Sequence, residues 1–204
     1  MGVVLIVSNT GDIHCDFLVD ACSRRGAECF RLNTDQFRKS GLLDWRLDSG
    51  EGLLKVGGRQ CRLSEVDLLI YRRPIPVHQL RTDIDPWIRR LLDSEWSAIE
   101  FALSRAVDCR VMNGLAGSAL AQVADSRPIE RRLTGAYQSV PPPVAASLAA
   151  LCGALSIEFA SSDFVEDATG QLWFLDLNPE GQWAYLEHEL GVRISDEIVA
   201  LAVR

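Results

Sequence analysis

Residues 3–7, VVLIV, are five apolar residues in a row, four of them β-branched. A strand with one wet face alternates apolar and polar residues, whereas an unbroken run has both faces covered, the habit of a parallel sheet with helices on each side. The SNTGD that follows is a turn. From Asp12, placed to cap a helix, Ile13, Phe17, Leu18, Ala21 and Cys22 fall on one face, and Arg24-Arg25-Gly26 supplies a basic last turn and a glycine stop. AECFRL (27–32) reads as the next strand, so the chain opens as an α/β unit.

The same grammar continues. LLDWRL (42–47), LLKV (53–56) and QCRL (60–63), separated by SGEG and GG, have the punctuation of hairpins at the edge of a sheet. VDLLIY (66–71) is another buried strand. A long helical pattern from Asp83 to Ala106 carries Trp87, Ile88, Leu91, Leu92, Trp96, Ile99 and Leu103, and CRVMN (109–113) returns as a strand. Residues 1–115 are therefore expected to form a Rossmann-like α/β domain, without the GxGxxG that dinucleotide binding would need. The stretch from Gly114 to Pro143 has weak periodicity and marks a junction. Residues 116–204 then read as helix (PVAASLAALCGAL), strand (IEFASSDFVE), turn (DATG), strand (QLWFLDL) and final helix (ISDEIVALAVR).

Composition narrows the function. Net charge is −7 and basic residues occur only in short pairs such as Arg131-Arg132, so the footprint of a nucleic-acid binder is missing. The six cysteines show no metal-ligand spacing and read as reduced, mostly buried thiols. No apolar run reaches the roughly 20 residues of a membrane span. The start, MGVVLIVSNTGD, has no basic n-region, so a cytoplasmic protein is expected. Nothing matches GxSxG or a Cys/His nucleophile pair.

One stretch carries chemistry. In LWFLDLNPEGQW (172–183) a buried strand ends on Asp176 and Asn178, two apart and so on one face if the extension holds, while Asp163 lies in the preceding strand. Two carboxylates and an amide at one end of a hairpin are hard oxygen donors of the kind that suit Mg²⁺, whose remaining positions go to water and substrate phosphates. Turn chemistry alone also accounts for Asp and Asn before a proline, and Asp163 could simply pair with an arginine. His14 lies in the loop after the first strand, where α/β folds bind ligands, although a lone histidine there is more often a surface residue. Arg72-Arg73 follow a strand end and could pair with Asp83 or Asp85; Trp183, beside the hairpin, reads as a packing residue.

The C-terminal stretch, with Asp163 in ASSDFVE thirteen residues before Asp176, resembles the metal-binding end of ATP-grasp ligases. Together with VSNTGDIHCDFLVDACSRRGAECFRLNTDQF and IYRRP (70–74), it is similar to the ATP-grasp maturases of ribosomal peptides, the microviridin or graspetide type. The resemblance implies a pre-ATP-grasp domain over 1–115 and an ATP-grasp C-terminal portion over 116–204, with Asp163, Asp176 and Asn178 as Mg²⁺ and ATP ligands. Asp176 stands where the family usually has a glutamate. The implied activity is phosphorylation of a side-chain carboxylate of a precursor peptide by ATP, then attack by an amine or hydroxyl to give an amide or ester. Between Asn113 and the helix near 144 the family carries a subdomain with phosphate-binding lysines; here about thirty residues fill the interval and the chain has no lysine after Lys55. VADSRPIERR (123–132) aligns with the family's Asp-x-Arg stretch, which makes Arg127 a catalytic candidate beside Asp125, with Arg131 and Arg132 partial substitutes for the lysines. The shortened cleft sets impaired ligation against an alternative, a non-catalytic module that binds a precursor peptide or a partner maturase. A homodimer is one way to rebury the surface that the lost wall would expose.

Overall fold

β1 (Val3–Ser8) sits inside a parallel sheet of order β2-β1-β6-β7, with β2 at Glu28–Asn33, β6 at Leu68–Tyr71 and β7 at Arg110–Met112. Val4, Leu5 and Ile6 are wholly buried, as are Leu68, Leu69 and Ile70 next to them, which is what an unbroken apolar run demands. This computed structural model describes residues 1–36, 41–46, 51–112 and 140–203. The chain divides into two compact units, Met1–Met112 with Arg193–Arg204, and Asn113–Val192, of which residues 140–192 are described.

In the first unit, α1 (Ile13–Arg25) connects β1 to β2 and α2 (Pro86–Ala106) connects β6 to β7. Asp12 caps α1 by accepting from the His14 amide, and the helix ends at Gly26, held left-handed at φ 67°. Asp85 accepts from the Trp87 amide, and Pro86 occupies the first turn of α2, where a missing N–H costs nothing. The hairpin segments β3 (Gly41–Trp45), β4 (Gly52–Val56) and β5 (Arg59–Arg62) do not extend the edge of the parallel sheet. They form an antiparallel sheet of their own, in which β4 pairs with β3 on one side and β5 on the other.

The expected C-terminal portion, 116–204, differs from the second compact unit at its end. The last helix, α5 (Ile194–Ala200), packs on α1 in the first unit, where Arg24 meets Asp196 at 2.6 Å and Arg25 meets Glu197 at 3.3 Å. Ile198 and Val199 supply the buried contact. The second unit holds α3 (Pro142–Leu155), β8 (Ser161–Glu166), β9 (Leu172–Asn178) and the short α4 (Ala184–Leu190). All six cysteines are free; Cys15, Cys22 and Cys61 are buried and the others half-buried. Among the described residues no helix is long and apolar enough to cross a membrane.

Candidate functional site

The hairpin β8-β9 brings the sequence-chosen residues together. Asp163 and Asp176 are direct cross-strand partners, and Asn178 lies opposite Ser161, two positions along on the same face. Simple alternation would put Phe174 on that face too. A register shift between Asp163 and Phe164 pairs Phe164 with Phe174, so Leu175 is an extra residue and Phe174 moves to the opposite face. One face therefore carries the oxygen donors. On the other, Leu177 and Ile157 pack with Leu148, Leu151, Cys152 and Leu155 of α3, while Phe164 and Phe174 meet edge to face at 5.7 Å. Between that face and α3 runs an open apolar groove of about 300 Å³.

Both ends of the hairpin are fixed. At the donor end the Asn178 Oδ1 accepts from the Glu180 amide at 2.9 Å, and the Asn178 carbonyl accepts from Gly181 at 3.1 Å. Gly181 lies so close to Ser161 that a Cβ there would fall 2.3 Å from its Oγ. Trp183 is buried against Phe159 in an edge-to-face contact at 4.8 Å, so it packs as the sequence suggested. At the far end Asp167 accepts from the Thr169 and Gln171 amides, the Thr169 hydroxyl and the Trp173 indole, and these bonds hold its carboxyl far below the usual range.

Asp163 is exposed and Asp176 and Asn178 are half-buried. Like charges directly opposite each other weaken a strand pair. Among the described residues no Arg, Lys or His lies within ion-pair distance of either carboxylate, and no three His, Cys, Asp or Glu side chains gather into a metal-holding cluster. The donor set fits Mg²⁺ in kind: two carboxylates and an amide oxygen with one acceptor position in use, open to water and phosphate oxygens. Arg127, Asp125, Arg131 and Arg132 lie outside the described residues.

The first unit holds a second polar cluster, at the carboxyl ends of β1 and β6, where the strand order reverses. Arg72 and Asp12 are both buried, with Nε and Oδ2 3.1 Å apart. The sequence offered Asp83 or Asp85 as arginine partners; instead Asp83 binds Arg81 and Asp85 caps α2. Asp12 wins because β6 runs beside β1 and delivers Arg72 to the start of α1. His14, expected at the surface, is buried with its Nδ1 2.9 Å from the Asp12 Oδ1. Burial alone would raise the Asp12 carboxyl, but the His14 hydrogen bonds and the Arg72 charge outweigh it and keep it below its ordinary value. Ser8 and Asn9 donate to the backbone carbonyls of Arg72 and Arg73 at 2.5 and 2.6 Å, and Arg73 itself takes the left-handed conformation, φ 46°. This cluster ties two loops together, and nothing short of the fold reveals a pairing across sixty residues of sequence.

Residues 3–116 match the family described as the MvdD pre-ATP grasp domain. No curated protein matches the chain. Among solved structures, macrocyclase MdnC bound with precursor peptide MdnA, from Microcystis aeruginosa MRC, is 16% identical with a TM-score of 0.81, over 98% of this chain and 99% of that one. A Chryseobacterium gregarium RiPP-associated ATP-grasp ligase, in complex with ADP and a leader and core peptide, is 12% identical with a TM-score of 0.79, over 100% and 97%. The ATP-grasp ligase PsnB, complexed with a minimal precursor, Mg and ADP, is 13% identical with a TM-score of 0.73, over 98% and 96%. At these identities the likeness is one of fold.

Proposed function

Because the chain belongs to the MvdD pre-ATP-grasp family over residues 3–116, we propose that it is a peptide-maturing ligase of the ATP-grasp kind, of the microviridin or graspetide type. The observation that carries the reading is the facing pair Asp163 and Asp176, two carboxylates set opposite each other with no described counter-cation and with Asn178 on the same face. A fold gains nothing from that arrangement unless a cation completes it. Asp163, Asp176 and Asn178 would hold Mg²⁺, which would supply positive charge to offset that of nucleotide phosphates.

In the proposed reaction a side-chain carboxylate of a precursor peptide takes the terminal phosphoryl group of ATP, releasing ADP. A peptide hydroxyl or amine then attacks the acyl phosphate, phosphate leaves, and an ester or amide remains with the proton passed to solvent. The contribution of this chain is to orient the phosphates and screen their charge, with Arg127 as the cationic candidate. The relatives solved with precursor peptides, ADP and Mg support that choice of substrates.

A second reading has its own observation: no lysine follows Lys55, and 27 residues separate Met112 from Val140. In that reading the chain is a non-catalytic module that binds a precursor peptide or a partner maturase. Calorimetry with MgATP separates the two. Binding abolished by both Asp176→Ala and Asn178→Ala, followed by loss of one water per bond from a candidate peptide in mass spectrometry, supports the ligase. Absence of heat up to millimolar nucleotide, with peptide binding intact, supports the module.

A further inference from the structure

Two of the six thiols meet inside the first βαβ unit. α1 returns from the end of β1 to the start of β2 and so runs antiparallel to both strands, which brings its first turn beside the end of β2 and its last turn beside the start. The first of these pairings shows in Arg31, whose guanidinium reaches Asp16 near the start of α1 and the Asn9 carbonyl at 2.8 Å. Cys29 lies two residues before Arg31 and therefore on the same face of β2, the face that α1 covers. Cys22 belongs to the buried stripe of α1, with Cys15 and Leu18, close to the end of the helix. The connection between the two is tight. The Ala27 amide donates to the Cys22 carbonyl at 2.9 Å and Gly26 turns left-handed at φ 67°, so the chain enters β2 within a few residues of Cys22.

Both placements end in one contact, in which the Cys29 thiol donates to the Cys22 sulfur. That contact sets the pair apart from the other cysteines. Burial pushes Cys15, Cys61 and Cys109 up to about 11 and raises Cys152 as well, the mark of inert thiols. Cys22 moves down, because the hydrogen bond from Cys29 outweighs its burial, while Cys29, which keeps the shared proton, moves up. Access is unequal too: Cys22 is wholly buried, and Cys29 is half-buried with the Arg59 guanidinium donating to its carbonyl at 2.9 Å. We propose that Cys22 and Cys29 form a reversible dithiol–disulfide pair, oxidised by small-molecule disulfides of the glutathione class.

The chemistry follows from the contact. Cys29, the sulfur a solute reaches first, attacks one sulfur of the small disulfide as its proton passes to Cys22; the S–S bond of the reagent breaks, a mixed disulfide forms on Cys29 and one small thiol leaves. Cys22 then gives up that proton and attacks the Cys29 sulfur, which expels the second small thiol. Two protein thiols are oxidised to one disulfide, the reagent is reduced to two thiols, and these carry both protons away. The new bond would join the end of α1 to the start of β2. It would lie between the Arg24 and Arg25 contacts with α5 and the Arg59 contacts that hold β5 to β2.

The first test needs no variant. The full chain is held under native conditions with about 5 mM glutathione disulfide, blocked with N-ethylmaleimide at intervals and digested for mass spectrometry. Trypsin cuts after Arg24, Arg25 and Arg31, so the bond should appear as the peptide ending at Arg24 linked to Gly26–Arg31 with two hydrogens lost. It should form at least about tenfold faster than any of the other four thiols takes up glutathione, and dithiothreitol should reopen it. Cys22→Ser should stop at glutathione on Cys29, and Cys29→Ser should slow the reaction of Cys22 at least about tenfold. A wild-type chain in which the two thiols stay open, link to other cysteines or react no faster than the rest would overturn the pairing. So would a Cys22→Ser variant without glutathione on Cys29, or a Cys29→Ser variant whose Cys22 reacts at the wild-type rate.

Discussion

Replacing Asp163 by asparagine separates a metal site from a chance pair of acids. Facing residues in a non-hydrogen-bonded or bonded antiparallel pair hold their side chains about 5 Å apart. At that distance two unit charges repel by about 0.8 kcal/mol in water, and about half of this survives at physiological ionic strength. Without divalent metal and at low salt, Asp163→Asn should therefore be the more stable protein, melting about 2 °C higher given about 2–4 °C per kcal/mol for a chain of this size. With about 10 mM MgCl₂ and a site of about 1 mM affinity, the wild type gains about 1.4 kcal/mol and the order reverses, because the variant has lost a charged ligand. The assay is thermal melting by far-UV circular dichroism in EDTA and in Mg²⁺, with NaCl of matched ionic strength as the control for screening. An isosteric asparagine leaves the strand pair and the bulge untouched, so the crossing of the two curves reports the charge alone. If Asp163→Asn melts lower in EDTA, or if Mg²⁺ raises both proteins equally, the facing carboxylates are not a cation site and the reasoning fails.

Gly181→Ala should cost about 1–3 kcal/mol and reduce any Mg²⁺ stabilisation, because the new methyl drives into Ser161 and displaces the turn that holds Asn178; melting in EDTA and in Mg²⁺ measures both. Asp12→Asn removes the buried carboxylate that faces the Arg72 guanidinium and should cost about 3–5 kcal/mol at neutral pH. The sign of its pH dependence follows from the lowered Asp12 carboxyl: its contribution is complete above the ordinary value of 3.8 and is lost as pH falls through the lower folded value, so acid unfolding of the variant should lack that component. Glu100 runs the other way. Burial raises its carboxyl above the ordinary 4.5 despite a hydrogen bond from Trp96, so ionised Glu100 burdens the fold at neutral pH; Glu100→Gln should stabilise at pH 7 and give no gain below pH 4.5, as chemical denaturation at the two pH values would show.

What was legible in the sequence was whatever rests on local pattern. VVLIV had to be buried on both faces, Asp12 and Gly26 bracket α1 where capping chemistry puts them, and Asp176 and Asn178 share a face because a strand repeats every two residues. What escaped notice depends on partners distant in the chain or on a broken period. The bulge at Leu175 cannot be read from FLDL, since it arises where Phe174 and Leu177 must both reach α3 while Asp176 stays on the other side. Arg72 meets Asp12 only because β6 lies beside β1. The helical spacing of apolar residues over α2 did not say which of them would be covered, and Trp87, Leu91 and Phe101 are left exposed. The MvdD pre-ATP-grasp match over 3–116 bears out the N-terminal resemblance, which rested on those same local blocks.

The distribution of cations sets the remaining condition on the proposed chemistry. A nucleoside triphosphate carries about four negative charges, and one Mg²⁺ at the hairpin offsets two. The rest must come from arginine, since both lysines, Lys39 and Lys55, precede β6. Arginine differs from lysine in this role: its planar fork engages two phosphate oxygens at once and keeps its charge when desolvated, so a single well-placed guanidinium can replace a less directional ammonium. Arg127→Ala should then weaken MgATP binding by about tenfold or more, and Arg127→Lys should restore only part of it, because a point charge cannot reproduce the paired hydrogen bonds. Calorimetry on the two variants decides between the alternatives. Full recovery with lysine would reduce the contribution of Arg127 to charge alone, and unchanged binding in both would move the phosphate site elsewhere among the arginines.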